Sequence, residues 1–508
     1  MSAINVEKIS IAHWYPDLET HKCGYCKNPN GAVSYGMWAE QLTVEDYQNL
    51  IDRGWRRSGM YCYKPMMDQT CCPQYTIKCS VLDFQLSKSQ KKIIKKFNKF
   101  VTDGVRNKNE NQSSLHTDNE DAAHEQVIIK ERPSVAMDIV SKLGGSNNDT
   151  EMDSDNLQIE TNTFEAGCSS SVVEKPVESD TKSTIQETTQ NKSGSFKKGI
   201  GADPNKPLCK KAKLIRLERK QQKLLQKGMN VEKSPSNSEV KTLEQFLSEI
   251  PEESKHKLKI ELVPTIKFDK EMESIKNTEF QLYKKYQMTI HNDPPEKCTM
   301  LGFTRFLISS PLKCVRVRGE SSVVTFGTFH QQYWLDDKLI AVAVLDILPR
   351  CVSSVYFFYD PDYRFLTLGT YGSLREIGFV RSLYKSIPAI KHYYMGYYIH
   401  SCPKMRYKGK LSHSFLLCPE TYQWFPVEKC LIKLDANKYS RLNDDKDVID
   451  ENVCTADDID RIKVCVSYSF TLFGNYKRKY GEQEVFDNIG RLIGKQCAST
   501  ILFVSSKG

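Results

Sequence analysis

Four cysteines offer the first chemistry in this chain: Cys23 and Cys26 in a C-x-x-C arrangement, and the adjacent pair Cys71-Cys72. Two thiolates two residues apart converge across a tight turn, which Gly24 is expected to ease, and the adjacent pair can supply two further ligands. Four thiolates suit tetrahedral zinc or an iron–sulfur cluster, and ligand identity does not separate the two. His21, Cys62 and Cys79 are spare candidates. The plain alternative is that these cysteines are small buried apolar residues. A second group lies in the C-terminal half. His330, Gln331, Gln332 and Tyr333 are consecutive in an apolar stretch, so alternate side chains share a face if it is a strand. His330 can take a proton or meet RNA there, or serve a structural role. Asp360 and Asp362 bracket Pro361, either to hold a cation or to end a strand. Arg375, Lys404 and Arg406 are cations suited to phosphate or carboxylate, and Tyr397 and His400 stand close to the last two in sequence.

The elements that must position these residues follow from the pattern between Val323 and Gly409. Val323 to Tyr333 is rich in β-branched and aromatic residues, Asp336-Asp337-Lys338 interrupts it, and Leu339 to Ile347 resumes an apolar run, which predicts a hairpin. Ser353 to Tyr359 is too apolar to alternate and is expected to be buried on both faces. Asp360-Pro361-Asp362 stops it, because proline lacks a donor and its predecessor avoids the helical region. Leu374, Ile377, Val380, Tyr384 and Ile387 mark a helix with one buried stripe, ended by Pro388. His392 to Ile399 is a further strand. Hairpin, buried strand, helix and strand resemble the core order of the GNAT acyltransferase fold. The pyrophosphate-cradling loop of that fold needs glycines after its Gln or Arg. Arg364 is followed by none at the required offset, so acetyl-CoA is not the expected donor.

The chain has 508 residues, enough for two or three domains. Its hydrophobic share of 39% and mean hydropathy of −0.51 point to a disordered portion, and a net charge of +9 favours an anionic partner. Seventeen cysteines without regular spacing argue against a secreted disulfide framework. The first residues lack a basic n-region and a long apolar core, and no apolar run is long enough to span a membrane. A reducing compartment, cytosolic or nuclear, is expected. The fold class read here is α+β in three parts. Residues 1–102 form a Cys-rich metal-binding domain that ends in a basic amphipathic helix with Ile93, Ile94, Phe97, Phe100 and Val101 on one stripe. Residues 103–243 form a largely disordered linker, polar and poor in aromatics, with a transient basic helix at Lys210 to Lys227. Residues 244–508 form a GNAT-like catalytic domain with a mixed sheet. Its last section, from Leu411, is expected to cover the core and to contain a strand at Arg461 to Phe470.

The segments FHQQYWLDDKLIAVAVLDILP, SSVYFFYDPDY and YYMGYYIHSCPKMRYKG closely resemble the C-terminal domain of arginyl-tRNA–protein transferases of eukaryotic type. The segment from Cys23 through Cys72-Pro73, with the cluster Arg53-Gly54-Trp55-Arg56-Arg57, resembles the N-terminal domain of the same family. The resemblance implies transfer of arginine from arginyl-tRNA to the α-amino group of proteins beginning with Asp or Glu, or with oxidised Cys. It also implies that this marks them for ubiquitin-dependent degradation, and that Cys23, Cys26, Cys71 and Cys72 bind zinc or an iron–sulfur cluster. The expected partners are arginyl-tRNA and acidic N-termini, with the protein a monomer in cytoplasm and nucleus.

That reaction is aminolysis of an activated ester. An α-amino group with a pKa of about 7.7–8.0 is already partly neutral near pH 7, so positioning and oxyanion stabilisation can supply most of the rate. Asp360, His330, Tyr333 and Tyr397 are the candidate catalytic residues. Gln331, Gln332, Asp362, Arg375, Lys404 and Arg406 are the candidate substrate contacts. A CoA-dependent N-acetyltransferase and a noncatalytic RNA-binding adaptor are the competing readings.

Overall fold

The computed structural model describes residues 9–106, 130, 241–269 and 272–505. The expected linker, its ends and Lys130 aside, lies outside the described residues, as does the basic stretch Lys210 to Lys227. In chain order the strands are β1 (Ser10–Trp14), β2 (Glu19–His21), β3 (Ala32–Gln41), β4 (Arg56–Ser58), β5 (Tyr61–Pro65) and β6 (Tyr75–Ser80) before the linker. After it come β7 (Leu258–Pro264), β8 (Val315–Arg318), β9 (Val323–Leu335), β10 (Lys338–Ile347), β11 (Cys351–Tyr359) and β12 (His392–Tyr398). The last are β13 (Ser414–Leu417), β14 (Trp424–Pro426), β15 (Lys463–Val466), β16 (Ser469–Leu472) and β17 (Ile501–Val504). The helices that matter here are α1 (Val44–Ile51), α2 (Lys88–Asp103), α3 (Leu243–Leu247), α4 (Glu273–Tyr286), α5 (Leu368–Tyr384) and α6 (Gln483–Thr500).

Two mixed sheets result. One runs β16-β15-β17-β1-β3-β5-β4, with β2 also on β3; the other runs β14-β13-β6-β12-β11-β10-β9-β7, with β8 also on β9. Both ends of the chain contribute to both sheets. β17 lies parallel to β1, and β6 is inserted between β12 and β13. Residues 1–102 and 244–508 therefore share hydrogen-bonded ladders. The section after Leu411, expected to cover the core, instead adds strands to each sheet.

The centre of the larger sheet follows the sequence pattern. β9 and β10 pair antiparallel through Asp336 and Asp337, both at positive φ (49° and 63°), as a two-residue turn of type I′ requires. β10 is buried from Leu339 to Ile347, whereas β11, the strand expected to be buried on both faces, leaves Ser354, Val355 and Phe357 partly exposed where it borders an opening. The same turn geometry explains a correction near the C-terminus. Ser467 and Tyr468 both have positive φ, so the single strand expected at Arg461 to Phe470 is the hairpin β15–β16.

Helix α5 carries the predicted stripe, with Leu374, Ile377 and Val380 fully buried. It ends at Tyr384 rather than Ile387, because the residue before Pro388 is disfavoured in helical conformation. At Gly372 an added Cβ would stand 2.5 Å from the Phe357 ring, so α5 lies against β11 as only a glycine permits. Helix α2 begins at a Ser87–Gln90 capping box. It buries Ile94, Phe97 and Val101, and the Phe97 ring stacks on Tyr371 of α5 at 3.8 Å. The two sheets are bolted by a buried ion pair. Arg57 of β4 donates through Nε and one terminal nitrogen to the Asp346 carboxylate at 2.8 and 2.6 Å, and Thr328 donates to the same carboxylate. Breaking such a pair leaves an unmatched buried charge, which costs about 3–5 kcal/mol.

Candidate active site and metal centre

The four predicted thiols do meet: their sulfurs lie within 4.8 Å of one another, and those of Cys26 and Cys71 are 3.2 Å apart. The first pair is set by a turn in which Lys27 N–H donates to Cys23 O at 3.0 Å and Cys23 N–H to Asn28 O at 2.8 Å. The left-handed residue of that turn is Lys27 (φ 65°), not Gly24 as expected. Gly31 is the glycine the centre requires, since a Cβ there would stand 2.4 Å from the Cys71 sulfur. Cys71 N–H donates to Gly31 O and brings the second pair across. Hydrogen bonds from the Asn28 backbone and from Cys71 bring the Cys26 thiol down to about 7, while burial pushes Cys71 up and Cys72 up to about 11. A tetrahedral ion with bonds of about 2.3 Å needs sulfurs roughly 3.8 Å apart, so the set fits a metal centre. His21 is instead paired with Glu19, and Cys62 and Cys79 are buried in the main core. The centre has a second connection. Cys23 and Cys72 pack with Ile399 and Met405, and Ser401 Oγ lies 3.7 Å from the Cys72 sulfur, so the cysteines support the segment after β12.

That segment forms one wall of a recess. β11 and β12 pair in parallel only from Cys351↔His392 to Ser353↔Tyr394. Beyond those residues β11 follows β10 as far as Tyr359, while β12 follows β6 as far as Tyr398, so the strands part. A recess of about 80 Å³ opens where they separate, lined by Ser354 to Phe357 of β11, Tyr393 and Met395 of β12, and Met405, Tyr407 and Lys408 beyond it. Gly369, Ser373 and Glu376 of α5 close it. Glu376 is 1% exposed, one of its carboxylate oxygens has no hydrogen-bond partner, and burial lifts its pKa to about 7 against the opposing hydrogen bonds of Tyr393 and Ser354. A carboxyl that titrates near neutrality in a recess suits proton transfer. Sequence reasoning missed Glu376. The available signal was a lone acid at the inward spacing of Ser373, Ile377 and Val380.

The predicted residues fall in different places. His330 and Gln332 share one face of β9 and close on Glu279 of α4. Glu279 meets His330 Nδ1 at 2.6 Å and accepts from Gln332 at 2.7 Å, while His330 Nε2 meets the Leu307 carbonyl at 3.1 Å. Gln331 and Tyr333 share the other face and bond to each other at 2.8 Å. All four are buried and none lines the recess, so in this structure they cannot touch a substrate there. Asp360 is buried and held by Lys285 at 2.5 Å and Lys338 at 2.8 Å; Lys285 also binds the exposed Asp362 at 2.7 Å. Burial would raise the Asp360 pKa, but the two lysines hold it below the usual carboxylate range. Arg375 bonds Tyr371 and the Leu247 carbonyl, away from the recess. Tyr397 is buried and donates to Gly54 O at 2.9 Å. Lys404 and Arg406 alternate with Met405 and Tyr407 beside the recess, and Arg406 donates to His400 O. Arg375 also neighbours a lining residue, Glu376, in sequence, but its side chain bonds elsewhere. The cluster Arg53, Arg56 and Arg57 is buried. Arg53 binds Asp450, Arg57 binds Asp346, and Arg56 reaches main-chain carbonyls only.

Comparison with known proteins decides the family. Residues 21–92 match the family model for the N terminus of arginine-tRNA-protein transferase, and residues 278–418 match that for its C terminus. A Drosophila melanogaster arginyl-tRNA–protein transferase is 42% identical over 503 residues, covering 98% of this chain and 99% of that protein. The chain belongs to the arginyl-tRNA–protein transferase family. An Arabidopsis thaliana member is 34% identical, with 83% of this chain and 76% of that protein aligned. A Vibrio campbellii aspartate/glutamate leucyltransferase is 33% identical over 28% of this chain and 54% of its own length. An arginyltransferase is an aminoacyltransferase, and the two matched segments hold the two sites: all four clustered cysteines lie in the first, the whole lining of the recess in the second.

Proposed function

We propose that this chain transfers arginine from arginyl-tRNA to the α-amino group of proteins that begin with Asp or Glu, and that the reaction takes place where β11 and β12 part. The observation that carries this reading is Glu376, a buried carboxyl in the wall of the recess with one oxygen left without a partner, its pKa lifted by burial to about 7. The amine attacks the ester carbonyl, the C–N bond forms, and the C–O bond to the tRNA ribose breaks. Glu376 takes the proton released by the attacking nitrogen and returns it to the ribose oxygen, so no net proton is consumed. A base with a pKa close to the working pH is effective in both directions. Tyr393 and Ser354 orient it. The preference for acidic N-termini is supported by the name of the bacterial relative, an aspartate/glutamate leucyltransferase.

Cys23, Cys26, Cys71 and Cys72 would hold zinc or an iron–sulfur cluster. A metal bound there would tie two distant turns together and brace the segment from Ile399 to Met405, whose continuation lines the recess. The loop from Asp360 to Thr367 favours this donor over acetyl-CoA, since Pro361–Leu366 is a 3-10 turn with no glycine to approach a pyrophosphate.

The test is transfer of labelled arginine from charged tRNA to peptides headed by Asp, Glu or Gly, with ribonuclease as control. Labelling of Asp and Glu peptides alone, abolished by ribonuclease, is expected. Labelling from acetyl-CoA, or none from arginyl-tRNA, overturns the proposal.

A further inference from the structure

A second, smaller recess of about 20 Å³ adjoins the first, sharing Ser354 and Val355 as wall. Its other lining includes Arg56, Arg57 and Ser58 of β4 in the smaller sheet, facing Ser353 of β11 and Gly396 of β12. The two arginines differ sharply. Arg57 is matched by the Asp346 carboxylate. Arg56 is 7% exposed and donates only to the carbonyls of Ile51, Trp55 and Gly396, and its Nε has no partner. The Tyr397 ring lies 5.0 Å below it, and no described carboxylate pairs with it. Ser58, 5% exposed, likewise has a buried hydroxyl without a partner. A buried cation without a counter-charge beside an unused hydroxyl is costly unless a ligand completes it.

We infer that Arg56 and Ser58 form a carboxylate subsite that receives the acidic side chain of the acceptor protein's N-terminal residue. The inference rests on the proposed function and names the residues that would enforce its specificity. The shared wall supplies the geometry. Ser354 and Val355 border both recesses, so an amine attacking beside Ser354 stands next to the second one, and in Asp or Glu the carboxylate is only two or three bonds from the carbon that bears the amine. A recess that admits a water-sized group suffices for the carboxylate oxygens while the rest of the residue stays in the gap. A guanidinium with a free N–H and a hydroxyl offers charge-assisted donors that a neutral amide cannot use equally well.

The experiment compares peptides headed by Asp and by its neutral isostere Asn, with arginyl-tRNA as donor, measuring kcat/KM for each and tRNA binding separately. In Arg56→Gln, the preference for Asp over Asn is expected to fall on the order of 10–100-fold, chiefly through KM for the Asp peptide, while tRNA binding stays within about twofold. Arg56→Lys should recover part of the preference. Ser58→Ala removes a hydroxyl that has no internal partner, so it should fold normally and lower the preference by roughly 3–10-fold. If Arg56→Gln fails to fold, Ser58→Ala decides alone. A preference unchanged within about twofold in the folded variants, with Asp still strongly favoured, overturns the subsite but leaves the proposed function standing. A wild-type protein that does not distinguish Asp from Asn overturns both.

Discussion

Two glutamates are buried beside the larger sheet, and their surroundings differ in one respect. Glu279 of α4 is wholly buried, with both carboxylate oxygens occupied by His330 and Gln332. Glu376 of α5 is buried to the same degree, yet one oxygen is unmatched and the group borders an opening between strands. Burial alone does not distinguish function from architecture. A closed network ties elements together, whereas an unclosed one next to a cavity is available to a substrate.

The largest expected effect is on Glu376. Glu376→Gln should lower kcat by about 10²–10⁴-fold with little change in fold, because the amide keeps the shape but not the proton chemistry. The wild-type rate should rise with pH and level off above about 7, and the variant should lose that limb. Linkage sets the sign for stability. A carboxyl raised in the folded state stabilises fully below its unfolded value of about 4.3, and the contribution is lost as pH rises through about 7. Stability measured against pH should therefore fall less steeply in the variant over that window. An unchanged pH–rate profile in Glu376→Gln would break the comparison.

Glu279→Ala tests the other side. It strands His330 and Gln332 in the core and should cost about 3–5 kcal/mol in unfolding free energy, while activity per folded molecule changes much less. A thermally intact protein with a collapsed kcat would reverse the two roles. At the cysteine centre, Cys26→Ser or Cys71→Ser should remove most of the bound metal, measured after anaerobic purification, and lower activity through the Ile399–Met405 wall. Full metal retention in Cys71→Ser/Cys72→Ser would dismiss this ligand set. The smallest effect belongs to Asp362→Asn. Its exposed pairing with Lys285 is worth about 0–1 kcal/mol, so stability should shift by no more than that.

The stretches legible in sequence are those governed by near neighbours. The apolar stripe of α2, the β9–β10 hairpin and the buried stripe of α5 follow from side-chain period and turn chemistry. The hairpin at Val466–Ser469 was less visible, since Ser467 and Tyr468 are not the residues usually found at positive φ. His330 carried a chemical label without its context. Whether a histidine is a base or a tie depends on what faces it, and Glu279 lies 51 positions away in the chain.

By itself the sequence determined the ligand types, the periodic elements and the family resemblance, because each is written in residue identity and short spacing. Tertiary structure alone decided that β6 enters the C-terminal sheet and that β17 closes beside β1. It also decided that β11 and β12 separate after Ser353, which places a glutamate with a free oxygen in the opening. Strand pairing is non-local and hydrogen-bond satisfaction is collective. No local window contains the partner whose presence or absence makes a buried carboxyl inert or reactive.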